Sequence, residues 1–117
     1  MDAETEILEA MLELLEASRA AREALSEGDV ALVRAIDRML AGQRAVDILR
    51  SSPVSSQRQA TQEALDRFNI ARHKFRRKII EMCLEQGMLP GQMGKIWGVS
   101  RQRIDRYVQE IRRCSGA

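Results

Sequence analysis

Near the C-terminal end of the chain, Arg101, Gln102, Arg103, Arg106, Gln109 and Arg113 bring four guanidinium groups and two carboxamides into a thirteen-residue stretch. On a helix turning about 100° per residue, Gln102, Arg106, Gln109 and Arg113 share the side opposite Ile104. Val108 and Ile111 fall beside Ile104, with Tyr107 next to them, so the stretch has an apolar back and a donor-rich front. Such a front suits flat, acceptor-rich edges. A guanidinium donates in two places to guanine O6 and N7, and a carboxamide pairs with adenine N6 and N7. Arg101 and Arg103 lie on opposite flanks, where cations straddle phosphates. Ser100 is placed to cap the helix by accepting a backbone N–H, and Lys95 adds a further cation just upstream. Asp105 is discordant: it either accepts from cytosine N4 or pairs with Arg101 one turn earlier.

A turn must position this helix. Gly98 tolerates the left-handed backbone that a reversal demands, and Gly94 leaves room for a following helix to approach closely. Pro90 suits the first turn of a short helix reaching Trp97. Gly98, Val99, Ser100, Arg101, Gln102, Arg103 and Ile104 resemble the turn and recognition-helix start of helix-turn-helix regulators. They are also similar to the promoter-reading C-terminal region of bacterial sigma factors. The resemblance covers residues 75–113 and implies a three-helix module that lays the helix over 101–113 in the major groove of DNA. Gly94 departs from the family, which usually has Ala there, and Trp97 is bulky for its place. Residues 1–56 carry no such resemblance.

Upstream, Arg72, His73, Lys74, Arg76, Arg77 and Lys78 form a basic cluster on the helix entering the module. The cluster is either a solvated face or a phosphate-binding one; Arg76 and Arg77 are the better candidates for phosphate, where each contact releases counterions. His73 is the only histidine, and it has no Cys, Ser or carboxylate at a telling spacing. Cys83 and Cys114 are the only cysteines and match no metal-ligand spacing. Neither catalysis, a metal nor a cofactor is expected.

At 117 residues, with Leu, Ile, Met, Val and Ala as the main apolar types and only 2 prolines, the chain reads as all-α. No run approaches the ~20 apolar residues of a membrane span, and the acidic start lacks a secretory layout, so a cytoplasmic protein is expected. The net charge of +2 conceals a polarity. Residues 1–50 hold 11 acidic and 6 basic side chains, residues 51–117 hold 6 acidic and 13 basic. That pattern suggests an acidic half kept off nucleic acid and a basic half drawn to it.

Apolar periodicity predicts a helix over 3–26, with Ile7, Met11, Leu14, Ala21 and Leu25 inward and Leu8, Leu12 and Leu15 widening the stripe. Glu27, Gly28 and Asp29 read as a stop and restart, giving a second helix over 30–50 weakened in its middle by Gly42. Residues 51–56, polar and proline-marked, read as a linker. A long helix follows over 57–86, carrying Ala64, Phe68, Ala71, Phe75, Ile79 and Met82, and ends at Gly87. The expected domains are therefore a helical hairpin, 1–56, and a long helix plus helix-turn-helix module, 57–117. Surplus apolar surface in the hairpin points to a homodimer; the alternative is a hairpin buried against the long helix of its own chain.

The resulting expectation is a sequence-specific transcriptional regulator binding double-stranded DNA as a homodimer. Two alternatives remain: an adaptor that binds RNA polymerase or a sigma factor, and an architectural or packaging DNA binder such as a phage terminase small subunit.

Overall fold

In a computed structural model, which describes residues 2–52 and 54–114, the chain is all-α. Five helices run in order: α1 (Ala3–Leu40), α2 (Ala45–Ser51), α3 (Val54–Glu85), α4 (Pro90–Trp97) and α5 (Arg101–Cys114). No strand occurs among the described residues.

The expected break at Gly28 is absent. α1 continues through it to Leu40, because one glycine costs a helix only about 1 kcal/mol and the flanking residues are good helix formers. The chain turns instead at Gly42, which adopts φ 94°. There the N–H of Gly42 donates to Met39 O and that of Gln43 to Arg38 O, both at 3.0 Å. These two bonds form the Schellman closure that uses a left-handed glycine. Arg38 reinforces the corner, donating to Gln43 Oε1 at 2.6 Å and Ser51 Oγ at 2.7 Å. Gly42 is thus a helix stop rather than a weak mid-helix position, and the second helix shrinks to α2. Of the expected linker, Ser51 closes α2 and α3 begins at Val54; Pro53 lies outside the described residues.

Packing divides the chain into two compact units. One contains the residues up to Glu13 together with those from Ala71 onward; the other is Leu14–Ile70. These units cut across α1 and α3 rather than following the 51–56 boundary. In the second unit, Arg67 pairs with Glu16 at 3.6 Å and the Gln57 amide donates to Glu27 O at 2.9 Å. In the first, Lys74 pairs with Glu13 at 3.1 Å and Lys78 with Glu6 at 3.3 Å. Within each unit these partners place α1 and α3 antiparallel.

Of the five residues expected inward on α1, Ile7 and Ala21 are buried and Leu14 is half-buried, but Met11 and Leu25 are exposed. Ile7, Ala10, Ala17 and Ala21 are buried, whereas Leu8, Met11, Leu12, Leu15 and Leu25 are exposed. Small residues opposite large ones let helix axes approach closely, which favours alanine at the seam.

Because α1 passes Gly28 without a positive φ, and a Cβ built there meets nothing within 4 Å, Gly28→Ala should raise stability. The gain expected is about 0.5–1 kcal/mol, whereas Gly42→Ala should lower stability. Urea unfolding of the two variants checks this; a destabilised Gly28→Ala would restore the hairpin break.

Candidate nucleic-acid interface

The C-terminal module is assembled around three side chains, one from each of its helices. Ile80 of α3, Met93 of α4 and Ile104 of α5 are almost wholly removed from solvent. Cys83 and Val108 complete this core, and Ile79, Trp97, Val99, Tyr107 and Ile111 pack around it half-buried. Burial raises the Cys83 thiol pKa and leaves it an inert apolar filler. α3 ends at Gly87, φ 82°, again with a Schellman pair: the N–H of Gly87 donates to Leu84 O and that of Met88 to Cys83 O. α4 then starts with Pro90 in its first turn, and the Gln92 side chain accepts the Leu89 N–H at 2.9 Å.

The connection between α4 and α5 is three residues long. Gly98 sits at φ 65°, ψ 27°, and its N–H donates to Gly94 O. Val99 donates to the same oxygen at 3.1 Å. Ser100 caps α5 as expected: its Oγ accepts the Arg103 N–H at 3.2 Å. Gly94 has a sharper role than spare room. A Cβ at this position would stand 2.8 Å from Val99 O, so the absence of a side chain is what lets the turn close so tightly.

α5 shows the two-sided character read from the sequence. Ile104 and Val108 are buried, while Arg101, Gln102, Arg103, Arg106, Gln109 and Arg113 are exposed. Gln102, Arg106, Gln109 and Arg113 stand on the side opposite Ile104, a front along a helix of 14 residues, or about 21 Å. Asp105 lies 4.0 Å from Arg101, the limit of an ion pair. Lys95 is exposed in the last turn of α4.

The basic cluster on α3 is largely engaged within the chain. Arg77 is about 70% buried, with 29% of its side chain exposed. It lies 3.5 Å from both Glu81 and Glu110. Lys74 and Lys78 pair with Glu13 and Glu6 as described above. His73 Nε2 lies 2.9 Å from both Glu110 carboxylate oxygens, and its ring stacks on Tyr107 with centroids 5.0 Å apart. His73, Arg77 and Glu110 therefore tie α3 to α5. Arg77 is accounted for by these contacts without any phosphate; Arg76, half-buried, has no ion pair among the described residues. His73 and Glu110 lie 37 residues apart, so no local spacing reveals the pair. The charge polarity of the chain is likewise partly consumed by pairing between α1 and α3.

No family model, curated protein or solved structure matches this chain.

The hydrogen bond from His73, aided by Arg77 and Arg113, holds the Glu110 carboxyl below the usual glutamate value of 4.5. A carboxylate whose pKa is depressed by folding adds stability above its unfolded pKa and loses it as pH falls through the folded one. Glu110→Gln should therefore be less stable than the parent at neutral pH, with the gap closing below pH 4.5. Urea midpoints measured across that range check the sign; a gap that widens in acid would contradict it. Independently, Gly94→Ala should destabilise the chain by about 1–3 kcal/mol, the cost of overpacking, despite the higher helix propensity of alanine. Thermal unfolding of the variant measures this directly.

Proposed function

We propose that this protein is a sequence-specific DNA-binding transcriptional regulator that lays α5 in the major groove and acts as a homodimer. The observation that carries the reading is the outer face of α5. Two arginines and two glutamines stand opposite a buried apolar back, directly after a three-residue turn. An α-helix fits a major groove about 12 Å wide. Gln102, Arg106, Gln109 and Arg113 are the base-edge candidates. Ser100, Arg101, Arg103 and Lys95 are the phosphate candidates, aided by the positive end of the α5 dipole. Arg76 remains a phosphate candidate on α3, and Arg77 serves first as the strut to Glu110.

A second reading has one observation in its favour. Leu89 and Ile96 are 65% and 66% exposed at α4, apolar surface that phosphate and base contacts do not use. An adaptor docking this module on RNA polymerase or a sigma factor would use it. Such binding would leave DNA unretarded and would weaken little with added salt.

Arg106 faces outward one turn after Gln102. Arg106→Ala should cost about 1–3 kcal/mol on the preferred site and much less on random DNA. Sites selected from a random pool, followed by titration of parent and variant on both DNAs, provide the check. Equal losses would reduce Arg106 to phosphate neutralisation, and the absence of any DNA binding by the parent would favour the adaptor.

A further inference from the structure

Beside its buried seam, α1 carries a second seam whose leucines are exposed among the described residues. In the second unit the buried seam runs through Ala17 and Ala21. Rotated from it by roughly a quarter of a turn, a second seam passes through Leu15, Ser18, Arg22, Leu25, Asp29 and Leu32 in alternating three- and four-residue steps. That spacing is the mark of a helix pair in which each layer is filled from both strands. Leu15, Leu25 and Leu32 are 43%, 47% and 62% exposed, and Arg22 and Asp29 are exposed too.

We propose that this seam binds the same seam of a second copy, with the two α1 helices antiparallel. The order of residues along it is self-complementary in that direction and in no other. Setting Arg22 of one copy opposite Leu25 of the other places Ser18 opposite Asp29 and Leu15 opposite Leu32, then repeats the three layers in reverse. Arg22 falls one layer from the second copy's Asp29, within reach of a flexible guanidinium, and Arg19 flanks that same Asp29. A polar centre is thus enclosed by leucine layers at both ends. In a parallel pair, Arg22 would meet Arg22 and Asp29 would meet Asp29. Like charges in facing layers reject that arrangement, the way charged positions set orientation in helix pairs. Left in water, the seam would keep Leu15, Leu25 and Leu32 exposed on one side of α1.

The inference gives the dimer of the reading above its surface and direction. Its test uses no DNA: a monomeric parent removes the homodimer together with the seam, whereas a dimer that fails the cysteine test removes the seam alone. The full-length chain should sediment at micromolar concentration with twice the mass of one chain. Leu32→Glu, a change at an exposed position, should sediment as a single chain with an unaltered helical circular dichroism spectrum. In a Cys114→Ser background, Leu15→Cys with Leu32→Cys should form a covalent dimer on mild oxidation. Leu15→Cys alone should not, because the two position-15 side chains would lie about 25 Å apart along the pair, far beyond disulfide reach. A monomeric parent, a Leu32→Glu variant that remains dimeric, a double-cysteine variant that fails to cross-link, or cross-linking by Leu15→Cys alone would each overturn the antiparallel seam.

Discussion

Burial of Ile80, Met93 and Ile104 in one small core governs the geometry of the C-terminal module. Each belongs to a different helix and each is nearly solvent-free. Helices as short as α4, 8 residues, do not persist alone in water, so α4 exists because Met93 and the half-buried Trp97 have somewhere to go. The same core fixes the roll of α5. With Ile104 and Val108 held inward, the helix has no freedom over which residues it presents, and the arginine–glutamine front follows from packing rather than from any property of those polar side chains.

Backbone closeness at one point makes this core possible. The carbonyl of Val99 approaches Gly94 so nearly that a methyl group would collide with it, and Gly98 supplies the left-handed residue that aims the chain back. Two glycines four positions apart therefore do different jobs: one admits the returning chain and the other turns it. Ser100 then satisfies an N–H at the start of α5, which would otherwise lie near the face offered to solvent.

Electrostatics in this chain serves cohesion as well as any outward role. Glu6 and Glu13 in one unit and Glu16 in the other meet cations from α3, and Glu110 gathers His73 and Arg77. Exposed pairs of this sort contribute little individually, about 0–1 kcal/mol, but they select antiparallel register. α5 carries five of the exposed basic side chains, Arg101, Arg103, Arg106, Arg112 and Arg113, and others stand exposed along α1, α2 and α3.

The sequence by itself determined much of the C-terminal half. Pro90, Gly98, Ser100 and the Ile104–Val108–Ile111 spacing identify α4, the turn, the cap and the buried side of α5, because caps and glycine turns are local events governed by a few neighbouring residues. The all-α class was legible for a similar reason, since helix propensity accumulates along the chain. Tertiary structure decided the rest. Gly28 and Gly42 look alike to local sequence, yet the good helix formers around Gly28 outweigh its cost, while Gly42 takes the left-handed backbone at the corner. Which side of α1 turns inward was equally beyond periodicity: its leucines and its alanines both recur at helical spacing. The fold buries Ala10, Ala17 and Ala21 and leaves Leu8, Leu12 and Leu15 exposed. The fates of Arg77 and His73 depended on Glu110, more than thirty residues away, and side-chain type carries no information about a partner that only the fold brings near.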